Sequence, residues 1–474
     1  MLTIRRQKLF IAAITSAALA LISTGCGSTP VPIKSASAQS GTSGTSTSTT
    51  NGSGVTTSTT TVGAAVTVAK PWNSARIASG DYHTCIIDSA NGVWCWGGGG
   101  AGQLGNGKSV DSASIVRVSN LTSGVQAIAA GGNHTCALTT AGAVYCWGSN
   151  AYGQIGDGTT TYRNVPTLVS GLSSGVVALA AGNVHTCAIT SLGAMACWGD
   201  NTYGQLGIGS TAGATKPTQV SFFAGATSYS SATGLVASRS LASVTISKSI
   251  SASLLLNSNL VFIGSGRRAV ALSLGYHHSC ATDSAGALYC WGYNADGRLG
   301  DGSTTQRNSP VAVSGLTSGV QSIATGYYHS CAIDALDSVW CWGSNDLGEL
   351  GQGGGSGSTT PLQVTSLAMS VQNLVAGARH TCATDGVNTI SCWGDNSYGQ
   401  LGTGSATSDE LSPVQTSSIV GSVRGLAMAG YHSCALDGSG VQCWGNDYYG
   451  QLGDGNTMSF QYTPVNVTGV TPAQ

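Results

Sequence analysis

Short apolar runs bounded by glycine and other turn residues recur along the chain from about residue 76 to its end. Residues 176–181 form one such run, and residues 136–138 and 143–147 flank a turn-like segment at 139–142. This pattern predicts β-strands, two of them joined as a hairpin. A glycine-rich loop follows at 148–158, where glycines supply positive φ angles. A fourth run surrounds Pro166, a residue that fits a strand start or an edge strand.

The unit repeats seven times, and each copy contains two cysteines followed by Trp-Gly. The first cysteines are Cys85, Cys136, Cys187, Cys280, Cys331, Cys382 and Cys434, at steps of 51, 51, 93, 51, 51 and 52 residues. The second cysteines are Cys95, Cys146, Cys197, Cys290, Cys341, Cys392 and Cys443, and the tryptophans are Trp96, Trp147, Trp198, Trp291, Trp342, Trp393 and Trp444. A period near 50 is long for a helical solenoid and suits a four-stranded propeller blade.

The first six copies also contain a Gly-x-x-His-[Ser/Thr] element before the first cysteine, and every copy contains, after the second cysteine, a version of Trp-Gly-x-Asn-x-x-Gly-Gln-Leu-Gly. These motifs resemble the regulator of chromosome condensation repeat, over roughly residues 76–474. The resemblance implies an all-β, seven-bladed propeller. The chain departs from the family pattern in its cysteine pairs and in Arg298 and Glu349, which stand where the loop glutamine is usual.

The chain starts and stops at nearly the same point of the repeat. The last apolar run, at 464–470, corresponds to the strand that precedes the next blade in the other copies. We therefore expect this strand to complete the first blade, so that pairing of the N- and C-terminal strands closes the ring and leaves no open seam.

The two cysteines of each copy are expected to form a disulfide. Pairing Cys85 with Cys95 in the predicted hairpin places Ile86 opposite Trp94, and the two cysteines then lie directly across the ladder. The same pairing applies to all seven copies. Paired cysteines are typical of an oxidising compartment such as the periplasm or the cell surface.

The first residues have the features of a bacterial lipoprotein signal peptide. Basic residues at 5–8 precede an apolar segment at 9–22, and Cys26 would be the lipidated first residue of the mature chain. Ordinary secretory cleavage is the alternative. Of the 15 cysteines, 14 remain for pairing when Cys26 is set aside. We therefore expect a signal peptide at 1–25, a Ser/Thr/Gly-rich flexible tether at 26–70 and the propeller at 71–474. The lipid on Cys26 would anchor the protein to a membrane of the cell envelope, at the outer membrane or cell surface, with a periplasmic orientation left open.

The step of 93 residues marks an insertion at about 224–265. Two apolar runs within 254–263 surround Asn-Ser-Asn, which predicts a β-hairpin. The insertion is interpreted either as a degenerate eighth blade or passive surface loop, or as a projection that binds a partner. In the second case the expected contacts are Leu254, Leu256, Leu260 and Phe262.

Composition argues against nucleic acid as a ligand. Charged residues make up 8% of the chain, and the formal net charge is −1. A protein that binds the phosphate backbone normally has a clear excess of basic residues, so no nucleic acid is expected as a partner.

Recurring polar residues invite three chemical interpretations. The seven histidines two residues before the first cysteines are expected to be buried and bonded to neighbouring backbone groups; a His-Cys metal site is the alternative. The tryptophans are expected to pack between blades rather than to stack a ligand. Asp88, Asp283, Asp334, Asp385 and Asp437 are expected to bond their own hairpin turns. Because these residues repeat with the structure, the sequence predicts no catalytic residue, no metal site and no cofactor.

The functional hypothesis is a non-enzymatic, monomeric propeller that binds another protein through its loops. Tyrosine is enriched at interfaces, and the candidate contacts in the loops are Tyr152, Tyr203, Tyr293, Tyr398 and Tyr448. The alternative is an inhibitor of a secreted enzyme, since secreted β-lactamase inhibitors have a similar propeller. The resemblance also implies a remote third function, guanine-nucleotide exchange, which export would separate from any cytosolic GTPase.

Overall fold

The computed structural model describes residues 48–50, 56–58, 76–225, 229–231, 260–262, 267–367, 371–385, 389–406, 408–417, 419, 423–437 and 440–470. The chain divides into two units, Met1–Val66 and Thr67–Gln474. In the first unit, strand β1 (Ser48–Thr50) pairs with β2 (Thr56–Ser58) in an antiparallel sheet. The proposed lipidation site, Cys26, lies outside the described residues. In the described part of the chain, no helix has the length and apolar character that a bilayer crossing requires.

In the second unit, the described strands form seven four-stranded antiparallel sheets, one for each repeat, which confirms the predicted propeller. Within each blade the strands are ordered in sequence, from an inner strand that lines the central channel to an outer edge strand. Blade 1 consists of β3 (Ile77–Ser79), β4 (His83–Ile87), β5 (Val93–Gly97) and β6 (Ser112–Arg117). Blade 2 consists of β7 (Val125–Ala130), β8 (His134–Thr139), β9 (Val144–Gly148) and β10 (Arg163–Leu168). Blade 3 consists of β11 (Val176–Ala181), β12 (His185–Thr190), β13 (Met195–Gly199) and β14 (Ala214–Gln219).

Between blades 3 and 4 lie a short 3-10 helix (Ser221–Phe223) and the strands β15 (Tyr229–Ser231) and β16 (Leu260–Phe262). Blades 4 to 7 are β17 (Ala269–Leu274), β18 (His278–Asp283), β19 (Leu288–Gly292) and β20 (Arg307–Ala312); β21 (Ser322–Thr325), β22 (His329–Ile333), β23 (Val339–Gly343) and β24 (Ser358–Gln363); β25 (Val371–Ala376), β26 (His380–Asp385), β27 (Ile390–Gly394) and β28 (Glu410–Gln415); β29 (Gly425–Ala429), β30 (His432–Leu436), β31 (Val441–Asn446) and β32 (Phe460–Asn466).

The central hairpin of each blade has the predicted register and contains the predicted disulfide. Cys85 pairs with Cys95, and Ile86 with Trp94. All seven cysteine pairs are bonded, with Cα atoms 4.0–4.1 Å apart and both cysteines of every pair fully buried. Pro166 lies in the outer strand β10 at a break in register, where a ladder hydrogen bond is not required of it.

The expectation about ring closure was wrong. The N-terminal strand β3 is the inner strand of blade 1, and the C-terminal strand β32 is the outer strand of blade 7, so each blade is complete within its own repeat. The two terminal blades meet through side chains instead. Ile77 and Trp96 of blade 1 pack with Leu452 of blade 7, and the Trp96 indole N–H donates to the carbonyl oxygen of Gln451 at 2.8 Å. The ring is thus closed by the same type of contact that joins every other pair of blades.

The seven tryptophans join consecutive blades, as predicted. Each is fully buried, and each donates its indole N–H to a backbone carbonyl in the loop of the preceding blade; Trp147 donates to Gln103 at 2.8 Å. The six equivalent bonds are those of Trp96, Trp198, Trp291, Trp342, Trp393 and Trp444. The acceptor is the backbone of the loop glutamine position, so Arg298 and Glu349 serve equally well there.

The histidines have a partner that the sequence interpretation missed. They are buried as expected, but Nε2 of each lies 2.8–2.9 Å from a Ser or Thr hydroxyl of the next blade rather than from backbone. In blade 2 the Thr135 hydroxyl donates to the carbonyl of Gln103, so it accepts a hydrogen bond from Nε2–H of His83. The same pair of bonds recurs at all seven blade junctions.

In blades 1 to 6 a glycine stands three residues before the histidine, at a crowded position. A Cβ atom on Gly80 would lie 2.3 Å from the carbonyl oxygen of Gly131 and 2.3 Å from Cε1 of His83. The close approach of blade 2 therefore leaves no room for a side chain at this position of blade 1, whereas blade 7 has Ala429 at the equivalent position.

The two described ends of the insertion meet at the propeller. The backbone N–H of Gly225 donates to the carbonyl of Arg267 at 3.3 Å, and the fully buried Phe223 anchors the entry against Trp291. β16 (Leu260–Phe262) pairs with β15 (Tyr229–Ser231), which is a different partner from the run at 254–256 expected for the hairpin. Leu254 and Leu256 lie outside the described residues. Blades 3 and 4 are both complete without the insertion.

Candidate functional site

One end of the propeller collects two sets of loops, and we call it the loop face. It consists of the segments between the first and second strands and between the third and fourth strands of each blade. The two sets are joined by backbone hydrogen bonds, such as Ser149 N–H to Asn133 O at 2.8 Å and Ser344 N–H to Tyr328 O at 2.9 Å. The opposite end, which we call the turn face, consists of the central hairpin turns and the connections between blades.

The five tyrosines proposed as contacts all lie on the loop face, between the third and fourth strands of their blades. Tyr152 and Tyr448 are 54% and 48% exposed. The other three are partly buried in ring contacts: Tyr203 lies 4.7 Å from Tyr293, and Tyr398 lies 5.1 Å from Tyr431. The structure therefore brings the predicted loop residues onto one surface, where some side chains are accessible and others support their neighbours.

The sequence interpretation missed a second set of aromatic side chains nearer the channel. They lie just before the histidines of the Gly-x-x-His element, and they are Tyr82, Tyr276, His277, Tyr327, Tyr328 and Tyr431. Several contact the outer set, such as Tyr82 with Tyr449 at 5.0 Å and His277 with Tyr203 at 4.9 Å. They could have been identified in the sequence as aromatic residues at the variable positions that precede the histidine of this element.

The two ends of the insertion do not lie on this surface. Its two ends, Gly225 and Arg267, lie between an outer strand and the next inner strand, which places them on the turn face. Leu260 and Phe262, proposed from sequence as contacts, are in β16 of the insertion.

The loop glutamine position shows what its side chain does. In five blades the glutamine Oε1 accepts a hydrogen bond from the backbone N–H two residues earlier, as between Gln154 and Tyr152 at 3.0 Å. Glu349 reproduces this bond with Leu347 at 2.9 Å. It is fully buried, and burial raises its pKa, while Arg379 lies 3.5 Å from its other oxygen. Glutamate is thus tolerated because it offers the same acceptor.

Arg298 cannot accept a hydrogen bond and adopts a different arrangement. Its side chain is 1% exposed and its guanidinium carbon lies 4.8 Å and 5.2 Å from the ring centres of Tyr293 and Tyr328. It donates to the carbonyl of Tyr327 at 2.6 Å and pairs with Asp296. Burial lowers its pKa to about 10, so the guanidinium stays charged at neutral pH.

Three polar side chains from blades 1, 3 and 5 meet at the loop-face end of the central channel. The Tyr327 hydroxyl donates to Asp81, and the Asn183 amide donates to the other oxygen of Asp81 at 3.0 Å. Burial raises the pKa of Asp81 to about 6. The channel behind them, lined by inner strands, has a volume of about 380 Å³. Hydrogen bonds thus bridge the centre of the loop face.

The recurring histidines and aspartates have structural partners. Burial lowers the pKa of His83 and of five of its equivalents to about 3 and that of His278 well below its usual value, so all seven are neutral at pH 7. Each of the five repeated aspartates accepts a hydrogen bond from the backbone of its own turn, as predicted. Within the described residues, His, Cys, Asp and Glu form no group of three or more that could hold a metal ion.

Comparison with known proteins identifies the repeat. Profiles described as "Regulator of chromosome condensation (RCC1) repeat" match residues 75–103, 125–154, 176–205, 269–298, 320–349 and 371–400, and a second profile of that description matches 91–138, 141–189, 193–234, 285–333, 337–384 and 391–436.

Individual relatives match most of the chain. It is similar to the ultraviolet-B receptor UVR8 of Arabidopsis thaliana, with 27% identity over 404 residues that cover 84% of this chain and 82% of the receptor. It is 29% identical to the E3 ubiquitin-protein ligase HERC2 of Homo sapiens over 395 residues, which cover 80% of this chain but 7% of the ligase. Among solved structures, yeast RCC1 (Prp20) bound to Kap60 superposes with a TM-score of 0.65 at 18% identity and covers 87% of this chain and 89% of that one. At this identity the structural likeness shows the propeller fold.

Proposed function

Because this chain belongs to the regulator of chromosome condensation repeat family, we propose that it is a non-enzymatic interaction propeller that binds a protein partner through its loop face. The observation that carries the proposal is the convergence of two sets of aromatic side chains on that face. Tyrosine and arginine are the residue types that dominate binding energy at protein interfaces.

The loop face has a suitable form for a broad interface. It combines exposed side chains such as Tyr152 and Tyr448 with partly buried ones such as Tyr203 and Tyr293, whose rings contact each other. Side chains that are already ordered lose little conformational entropy on binding. A rigid surface of this kind can supply the roughly 800 Å² per partner that a stable complex buries.

Site-specific photocrosslinking in the native host tests which face binds. A benzophenone amino acid would replace Tyr152 or Tyr448 on the loop face, and Leu336, which is 85% exposed in the β22–β23 turn, would be the control on the turn face. We expect a discrete protein adduct from positions 152 and 448 and none from 336. Adducts from position 336 alone would move the binding site to the turn face, and no adduct from any of the three positions would contradict the proposal.

We further propose that the chain is exported and tethered to the cell envelope by a lipid on Cys26. The seven disulfides support export, because such bonds persist in oxidising compartments and are rare in the cytosol. Metabolic labelling with a radioactive fatty acid tests the anchor. We expect label on the full chain and none on Cys26→Ala, with membrane association lost in the variant; equal labelling of both would contradict it.

The insertion provides a second candidate surface on the turn face. Its attachment at Gly225 and Arg267 allows it to project from the ring without interrupting a blade. A benzophenone at Phe262 would test this surface. An adduct at 262 with the same partner as at 448 would require a partner that reaches both faces, whereas no adduct at 262 would leave the insertion without a binding role.

A further inference from the structure

Blades 6 and 7 present a group of exposed apolar side chains on the loop face. We call it the blade 6–7 patch, and it consists of the exposed Tyr448, Met458, Phe460 and Tyr462 together with the partly buried Tyr398. Met458 is 72% exposed, and Tyr448, Phe460 and Tyr462 are 41–48% exposed. The ring of Phe460 lies 5.3 Å from that of Tyr398, so the patch crosses the junction between the two blades. Clustered exposed apolar groups of this kind mark interaction sites.

The backbone holds Met458 in an unfavourable conformation. Its φ angle is 57°, and the other described residues with positive φ are glycine, asparagine or aspartate. The backbone N–H of Met458 donates to the carbonyl of Asp447 at 3.0 Å, which fixes this geometry. A bulky side chain in the left-handed region costs energy, and such strain persists mainly at functional sites.

The loops that carry the patch differ from their equivalents in length. From the last glycine of the loop motif to the outer-strand residue that pairs with the glycine of Trp-Gly, blades 6 and 7 have six steps, Gly404 to Glu410 and Gly455 to Gln461. The other blades have five, as from Gly158 to Arg163. In blade 7 the additional residue lies in the segment that contains Met458.

The patch also lacks the cations that neutralise this loop elsewhere. In blades 2 and 4 an arginine at the start of the outer strand pairs with the loop aspartate, Arg163 with Asp157 at 2.6 Å and Arg307 with Asp301 at 2.7 Å. Blade 6 has Glu410 at the arginine position. Blade 7 has Gln461, whose amide lies 3.5 Å from Asp454.

A second substitution in blade 7 replaces an amide by a carboxyl group. Asn150 and Asn294 donate to the loop aspartates of their blades, and Asp447 replaces this asparagine in blade 7. Among the described residues of blades 6 and 7, the only Lys or Arg residues are Arg379, which lies beside Glu349 and Asp346, and Arg424, on the turn face. Blades 6 and 7 thus combine this apolar patch with two carboxylates, Glu410 and Asp454, that have no Lys or Arg partner among the described residues of these blades.

From this combination, and resting on the proposed function, we infer that the blade 6–7 patch is the docking site for a protein segment with an apolar side chain flanked by Lys or Arg. The apolar side chain would pack against Met458 and Phe460. The basic side chains of the partner would pair with Asp454 and Glu410. These intermolecular ion pairs would take the place of the Arg–Asp pairs that blades 2 and 4 form within themselves. Aromatic rings nearby also favour cations over their faces.

A random 12-residue peptide library displayed on phage and panned on the full chain is the probe. We expect enriched peptides to combine an aromatic or branched apolar residue with neighbouring Lys or Arg. Their affinity, measured by fluorescence anisotropy, should fall at least tenfold in the double variant Glu410→Arg/Gln461→Arg. Arginine occupies the same positions in blades 2 and 4, so this variant is compatible with the fold.

Two further variants separate binding from folding. Met458→Gly suits the positive φ angle and removes the side chain, so we expect unchanged or higher stability and at least threefold weaker binding. Leu336→Ala, at an exposed position of the turn face, is the matched control and should bind the peptides normally. Enriched peptides that lack basic residues, peptides that bind the double variant as well as the native chain, or no enrichment at all would overturn the inference.

Crosslinking in the native host distinguishes this inference from the proposed function. If the adduct from position 448 persists unchanged in Glu410→Arg/Gln461→Arg, the loop face still binds a protein, but not through the proposed chemistry. If neither position 152 nor position 448 gives an adduct in the native chain, both proposals fail together.

Discussion

Nε2 of His432 lies 2.8 Å from the hydroxyl of Thr84, although 348 residues separate them in the chain. This contact joins blade 7 to blade 1 and completes a ring of seven His–Ser/Thr hydrogen bonds. The same hydroxyls donate to the loop carbonyls that also accept the tryptophan N–H groups, such as Gln103 O from Thr135 and Trp147. Each junction is therefore a small network in which every member depends on the next blade.

The seven buried histidines predict that the free energy of unfolding falls steeply in acid. Burial holds the pKa of His83, His134, His185, His329, His380 and His432 at about 3, below the usual 6.5, while these groups titrate normally in the unfolded chain. The contribution of these histidines to the free energy of unfolding is fully present above pH 6.5. It falls as the pH decreases toward 3, because the unfolded chain binds protons that the folded chain does not bind. Each histidine contributes about 1.4 kcal/mol per pH unit in this window.

Urea unfolding between pH 7 and pH 4.5, with the disulfides intact, measures this effect. His185→Gln is the control, because the loss of one histidine should reduce the slope of stability against pH by about one proton. If the free energy of unfolding of the native chain changed with pH by the equivalent of fewer than two protons, the seven histidines would not be buried in their neutral form.

The hydroxyl at each junction should be more important than an ordinary surface hydroxyl. Thr186→Val keeps the shape of the side chain but leaves His134 Nε2–H without an acceptor and removes a donor to Gln154 O. We expect the free energy of unfolding to fall by about 1–3 kcal/mol. Thr218→Val in β14, where the hydroxyl bonds only the carbonyl of Lys216, is the control and should change stability by less than about 0.5 kcal/mol. Equal effects of the two substitutions would argue against the network.

Each disulfide should stabilise its hairpin through the unfolded state. Cys136 and Cys146 close a loop with a sequence separation of 10, and the double variant Cys136→Ala/Cys146→Ala should lose about 2–3 kcal/mol by the loop-entropy relation. Peptide mapping without reductant should recover the linked Cys136 and Cys146 peptides from the native chain. Free thiols at these positions would contradict the pairing.

Asp447 should destabilise the folded chain at neutral pH. Burial, with Asp454 nearby, raises its pKa from 3.8 to about 7, so the stability falls as pH rises from about 4 to 7. Asp447→Asn restores the residue found in blades 2 to 6 and can keep the bond that Leu452 N–H now makes to Asp447 at 2.9 Å. We expect a gain on the order of 2 kcal/mol at pH 8 and little gain at pH 4. Thermal unfolding at both pH values checks this, and a gain independent of pH would point to a different cause.

The insertion should be dispensable for folding. Gly225 and Arg267 are already hydrogen-bonded to each other, and blades 3 and 4 are complete without the residues between them. Deletion of residues 226–266 should therefore leave the near-ultraviolet circular dichroism spectrum and a single cooperative unfolding transition. Loss of folding would instead support the interpretation of the insertion as a degenerate blade.

The sequence by itself determined the features that lie within one repeat. Strand positions, the Cys85–Cys95 register and the capping role of Asp88 all depend on residues within about a dozen positions of one another. Hairpin pairing and turn chemistry are local, and seven copies of one pattern reduce the ambiguity of a single copy.

Only the tertiary structure decided how repeats meet. The hydroxyl partner of His83 lies 52 residues away, Tyr327 reaches Asp81 across 246 residues, and the terminal strands each complete their own blade rather than sharing one. Neither strand periodicity nor motif spacing specifies which side chains face each other between blades. That choice depends on the packing of complete sheets around the channel, which fixes the distances between residues that are remote in the chain.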